Sequence, residues 1–105
     1  QNDFQKAWET VARYAPPPSV PAANMDLPRE DLESEFHDQD NAAAGVMLYL
    51  SELRANDIDG ALGTVHALEK LKDCPKYIYY EEARLWAMKQ NWDLAWQAWK
   101  TYTKP

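Results

Sequence analysis

Two histidines, one cysteine and a series of carboxylates are the side chains of this 105-residue chain that could carry chemistry. His37 stands among Glu35, Asp38 and Asp40, a group that could attract a hard cation. Such ions need several oxygens converging from a tight loop. Asp38-Gln39-Asp40-Asn41 opens as a calcium loop does, but the glycine and the closing bidentate glutamate are missing. A solvated acidic linker and helix cap is the simpler reading. Asp57-Ile58-Asp59-Gly60 fails in the same way and reads as a helix start. His37 and His66 form no ligand pair by spacing, and His66 is expected to be structural or exposed. Cys74 has no histidine motif beside it. Its place next to Pro75 at a helix end points to packing rather than to a reactive thiolate. A lone cysteine cannot close an intrachain disulfide, so it says nothing of the compartment. Glu81-Glu82 could pass for an acid/base pair, but helical neighbours point about 100° apart, which favours a solvated face. No G-x-S-x-G, glycine-rich phosphate loop or H-E-x-x-H occurs. No catalytic residue, metal site or cofactor is expected, and the chain reads as a non-enzyme.

The aromatics are the other candidates: five Trp, six Tyr and two Phe. Large rings contribute the most buried area per residue, which suits thin, two-layer structures. Trp92, Trp96 and Trp99 share one helical face, and core packing is the simpler reading than stacking on a sugar. Tyr77, Tyr80, Arg84 and Met88 lie on the face opposite Tyr79, Ala83 and Trp86. Rigid aromatic and Arg surfaces are what interface hot spots use.

Charge narrows the classes further. The net charge is −6, but residues 1–40 hold nine acids against Lys6, Arg13 and Arg29, while residues 41–105 hold eight of each sign. No basic stripe exists, which argues against phosphate-neutralising contact with nucleic acid. No apolar run approaches the ~18–20 residues that cross a bilayer. With no initiator Met or targeting motif, the chain is expected to begin at a processed or excised end.

These side chains must be held by helices, because one helical phrase recurs three times. It reads D-F-Q-K-A-W-E-T-V-A-R-Y from Asp3, D-I-D-G-A-L-G-T-V-H-A-L from Asp57 and N-W-D-L-A-W-Q-A-W-K-T-Y from Asn91. Each sets apolar residues on one stripe of a 3.6-residue helix: Phe4, Ala7, Trp8, Val11 and Tyr14; Ile58, Ala61, Leu62, Val65 and Leu68; Trp92, Ala95, Trp96, Trp99 and Tyr102. Asp3, Asp57 and Asn91 suit the N-cap, and Pro16, Pro75 and Pro105 act as stops. A small alanine on each stripe lets a neighbouring backbone approach. Ala61 and Ala95 lie 34 residues apart, and a further helix fits ahead of each, Asn41–Ala55 and Tyr77–Lys89. The connectors Ala55-Asn56-Asp57 and Lys89-Gln90-Asn91 are short enough to make antiparallel pairs.

On these residues the chain resembles the tetratricopeptide repeat (TPR) family, whose unit is two antiparallel helices over 34 residues. Tyr79, Ala83, Trp86, Trp92, Ala95 and Trp99 match its large, small, large, large, small and large positions. One departure is Tyr49, which stands where the family prefers a small residue; placing Gly45 there instead lengthens that helix by about one turn. The resemblance implies an all-α fold, antiparallel helix-turn-helix pairs stacked as a short right-handed superhelix. It divides the chain into a partial repeat at 3–15 (a second helix only), a Pro-rich and acidic linker at 16–40, and repeats at 41–75 and 76–105. The missing first helix is expected from upstream sequence or from another protomer of a homo-oligomer. In the family, first-helix surfaces line the groove that holds partner peptides. That implies contact through Tyr77, Tyr80, Arg84 and Met88, with Leu50 and Arg54 from the middle repeat. The family's Lys/Asn carboxylate clamp is absent, so chaperone-tail binding is not implied.

In the linker, Ala-Pro-Pro-Pro-Ser-Val-Pro reads as an extended spacer. Pro28, Glu30, Asp31 and Glu33 suit the first turn of a short helix with Leu32 and Phe36 on one face. A second possibility is that this tethered helix lies in the protein's own groove as a plug or pad. The function expected is non-catalytic: a scaffold or adaptor binding a protein or peptide. The alternatives are carbohydrate binding through exposed Trp and Tyr, and a structural slice of a larger repeat protein.

Overall fold

Asn41, Asp57 and Asn91 each turn a side-chain oxygen back onto the helix that follows. The N–H groups of Ala44, Gly60 and Leu94 donate to them at 3.2, 3.0 and 3.3 Å. Each cap satisfies an otherwise orphaned donor and contributes ~1 kcal/mol. The computed structural model describes residues 2–14 and 28–104, with side chains described for 3–10 and 28–104. Among these residues there are six helices and no strand: α1 (Asn2–Tyr14), α2 (Arg29–Gln39), α3 (Ala42–Arg54), α4 (Ile58–Glu69), α5 (Tyr77–Met88) and α6 (Trp92–Thr103). Asp3 lies inside the first turn of α1 rather than ahead of it. The short acidic helix is present as α2, with Pro28 at its N-cap. The expected Pro16 and Pro105 stops, the Pro-rich spacer and the Val11 and Tyr14 side chains lie outside the described residues.

The 34-residue period is also written into the backbone. Asn56 and Gln90 both take left-handed conformations, with φ of 60° and 58°. The next N–H, of Asp57 and of Asn91, donates to the carbonyl of Glu52 and of Trp86, each at 2.9 Å. This is the standard left-handed helix ending. It folds α4 back along α3 and α6 back along α5.

Neighbours in space run α2, α3, α4, α5, α6, α1. Ala61, Ala83 and Ala95 are completely buried, which lets neighbouring helices approach closely. A larger core forms from Leu32, Phe36, Leu48, Tyr49, Val65, Leu68, Ile78 and Leu85 among others. A second, aromatic-rich one forms where Phe4 and Trp8 of α1 meet Tyr80, Ala83, Ala95 and Ala98. Burying each of the larger aliphatic chains stabilises by ~1.5–3 kcal/mol.

Two features of the middle pair explain its departures from pattern. A Cβ on Gly45 would stand 2.6 Å from the Phe36 ring and 2.7 Å from Leu68, so only glycine lets α2 sit this close to α3. Tyr49 fills a position whose counterpart is Ala83. It is fully buried, and its hydroxyl reaches across to donate to the Glu81 carboxylate on α5. The bulk thus fills the seam between α3 and α5, and the buried oxygen is satisfied.

Buried carboxylates tie the elements together. Glu52 of α3 accepts from Arg29 Nη2 of α2 at 2.9 Å and from the Thr64 hydroxyl of α4. Leu32 and Phe36 do share a face, but both are core residues under α2. They do not form a detachable plug in an open groove, because α2 completes the end of the stack that α3 would otherwise leave bare. α1, first in the chain, lies against α5 and α6 at the opposite end of the stack.

Candidate functional site

The six expected contact residues fall into two sets. Leu50 and Arg54 occupy α3, and Arg84 and Met88 stand 34 positions later on α5. Arg54 and Met88 are exposed, while Leu50, Tyr77 and Arg84 are half-buried. Arg84 Nη1 donates to Glu81 at 3.3 Å, which leaves most of the guanidinium's donors free. Tyr80 is the exception. It is only 6% exposed, with its ring 5.4 Å from Trp8, 6.0 Å from Trp99 and 5.5 Å from Tyr102. The sequence put it on an open surface because its cover, α1, comes from the far end of the chain. Tyr80 supports that surface and does not form it.

Among the described residues the exposed large apolar side chains are Met88 (48%), Leu94 (40%) and Trp96 (41%). All three belong to the last pair. Trp92, Trp96 and Trp99 do not all sink into a core, because Ala95 and Ala98 make the tight contact with α5 and the indoles face α1 instead. Phe4 stacks at 5.2 Å on Trp96, and Lys100 Nζ lies 5.4 Å over the same indole. A cleft of about 620 Å³ opens between α1 and α6, lined by Phe4, Ala7, Trp96 and Trp99, with Asp3, Asp93 and Gln97 at its polar edge.

A different group gathers in the seam between α4 and α5. Nε2 of His66 stands 3.3 Å from Oε2 of Glu82, and the Trp86 indole N–H donates to that same oxygen at 2.9 Å. Glu69, one turn after His66, brings its carboxylate to the same place; the His66, Glu69 and Glu82 donor atoms lie within 4.8 Å of one another. Oε2 of Glu69 is buried and has no hydrogen-bond partner, a state that costs ~1–3 kcal/mol. Burial, together with the facing Glu82, pushes the Glu69 carboxyl up to about 9. Burial would raise Glu82 too, but hydrogen bonds from protonated Glu69, Trp86 and His66 outweigh it and hold Glu82 below the ordinary range.

Sequence reasoning read His66 as structural or exposed, and His66 is exposed. It placed Glu81-Glu82 on a solvated face. Instead Glu81 is buried and Glu82 is largely covered, because α5 is flanked on both sides. The signal that could have been read is His66-x-x-Glu69, since positions three apart share a helix face. Glu82 joins them only through packing. Cys74, near Glu69, has a thiol pushed up to about 11 by burial and that neighbouring carboxylate, consistent with an inert cysteine. His37 is exposed and stacks on Phe36 at 4.7 Å. No helix among the described residues is long and apolar enough to cross a membrane.

Comparison with protein-family models, with curated proteins and with solved structures finds no match to this chain.

Proposed function

We infer that the chain is a non-catalytic interaction module, a short TPR-like right-handed stack that holds a protein or peptide partner on its last helix pair. The observation that carries this reading is where the open apolar side chains lie: Met88, Leu94 and Trp96 of the last pair stand exposed, while the other large apolar side chains described are buried or half-buried. Large apolar side chains left open on a small domain are surface that a partner can remove from water. Arg84, half-buried with donors to spare, adds the charged anchor that interfaces favour. Leu50 and Arg54 extend the same stripe along α3.

The test is affinity capture from the native source with the intact chain, comparing wild type with Arg84→Ala, Met88→Ala and Trp96→Ala. Loss of the same captured protein in Arg84→Ala and Met88→Ala supports contact along the α5 stripe. An unchanged set in all three variants removes the proposal. Tyr80→Ala is unsuitable, because it hollows the aromatic core.

A second reading has its own support in the α1–α6 cleft, where the half-open indole of Trp96 lies beside Asp93 and Gln97. That combination suits stacking on a sugar with polar groups for its hydroxyls. Titrating tryptophan fluorescence with oligosaccharides decides it. A saturable change lost in Trp96→Ala supports carbohydrate; a flat titration excludes it.

A further inference from the structure

Two carboxylates and an imidazole from neighbouring helices meet in one partly covered seam. Carboxylates are acceptors only when ionised, so two that face each other need either a shared proton or a cation between them. Among the described residues no Lys or Arg forms an ion pair with Glu69 or Glu82; the basic partner of Glu82 is His66. Oε2 of Glu69 is cut off from water and has no hydrogen-bond partner, so it is an unused acceptor beside the His66–Glu82 pair. The spacing suits a metal. A tetrahedral zinc with bonds of about 2.0–2.1 Å sets its ligand atoms roughly 3.4 Å apart, and His66 Nε2 and Glu82 Oε2 are at 3.3 Å. The Glu69 donor, within 4.8 Å of the others, needs a side-chain adjustment only.

We propose that His66, Glu69 and Glu82 bind a divalent first-row transition metal, zinc above all, which clamps α4 to α5 across the boundary between the two helix pairs. One imidazole nitrogen with two carboxylate oxygens is a borderline donor set, suited to zinc and poorly suited to calcium, which takes six to eight oxygens. Trp86 supplies the outer support: its N–H on Glu82 Oε2 holds that carboxylate turned toward the seam. His66 has 47% of its side chain exposed and Glu82 14%, so the ion enters from solvent and keeps a water in its fourth position.

The experiment uses the full metal-stripped chain titrated with zinc chloride at neutral pH, by calorimetry and by indole fluorescence. Trp86 is the reporter, its ring 6.2 Å from His66. The expected result is one zinc per chain, a changed indole signal and a raised melting temperature, as for any ligand that binds only the folded state. His66→Ala, Glu69→Gln and Glu82→Gln should each weaken binding on the order of 100-fold. The two Gln variants keep shape and volume, so far-UV circular dichroism matching wild type excludes misfolding as the cause. His37→Gln and Cys74→Ser should bind zinc as wild type does. The proposal is overturned if zinc fails to bind, if the Gln variants bind it equally well, or if Cys74→Ser abolishes binding. Failure to bind would leave a shared proton between the carboxylates as the group that reconciles them.

Discussion

Glu69 concentrates the chemistry of single residues in this protein. Its folded-state carboxyl is raised to about 9 from an ordinary 4.5 by burial and by Glu82. A raised carboxyl contributes stability that is complete below about 4.5 and is lost as pH rises toward 9. The chain in chelator should therefore be progressively easier to unfold with urea between those limits. Glu69→Gln removes the ionisable group and keeps an N–H to donate to Glu82. Its urea midpoint should exceed that of wild type at pH 8 and match it near pH 4; equal midpoints at pH 8 would show that Glu69 is not held protonated. The same variant should need on the order of 100-fold more zinc for the same stabilisation, which separates the two roles. Cys74 offers a second check. A thiol raised to about 11 holds on the order of 100-fold less thiolate at pH 8 than a free cysteine. Alkylation by iodoacetamide should be slower by about that factor in the folded chain, and should reach the ordinary rate in denaturant.

At the level of helices, two glycines with the same intrinsic propensity should respond in opposite senses. Gly63 stands exposed on α4 with nothing within 4 Å of a Cβ placed there. Gly63→Ala should stabilise by about 0.5–1 kcal/mol through helix propensity alone. Gly45 sits under Phe36 and Leu68. The same substitution there gains that propensity but drives a methyl into ring and branched carbons, at an overpacking cost of ~1–3 kcal/mol, so Gly45→Ala should be destabilising. Thermal melts of the two variants decide it, and a stabilised Gly45→Ala would mean that α2 does not pack as closely as described. α1 is the element with the fewest ties, joined through Phe4 and Trp8 among the described side chains. Hydrogen exchange should show the amides of Asn2–Tyr14 opening before those of α3–α6. Trp8→Ala should abolish α1 protection while leaving the α3–α6 amides protected; simultaneous loss of both would make α1 part of one cooperative unit.

In the molecule as a whole, the stack is closed at both ends by helices that are not part of the two repeated pairs. α2 covers α3 with Leu32 and Phe36, and Arg29 reaches Glu52 from it. α1 covers Tyr80 and Trp99 at the other end. A stack of helix pairs is stable only when its terminal faces are capped, and here both caps come from helices that precede the two pairs in the chain. What the caps leave open, Met88, Leu94 and Trp96, is where the interaction proposed above should act. The metal proposed between α4 and α5 would act at the join between the two pairs, stiffening one pair against the other.

Local physics makes the helices legible in the residues. Apolar spacing marks each stripe, Asn and Asp at the caps set the starts, and the paired connectors 34 residues apart set the reversals, because each depends on neighbours within a few positions. The buried alanines 61, 83 and 95 follow from the same stripes. The position of α1 does not. Its stripe says that Phe4 and Trp8 must be covered, and an apolar face does not specify which other face covers it. That choice belongs to packing, and it turned Tyr80 from an expected contact into core. Packing likewise decided the meeting of His66 and Glu69 with Glu82, since residues on separate helices become neighbours only when the helices dock.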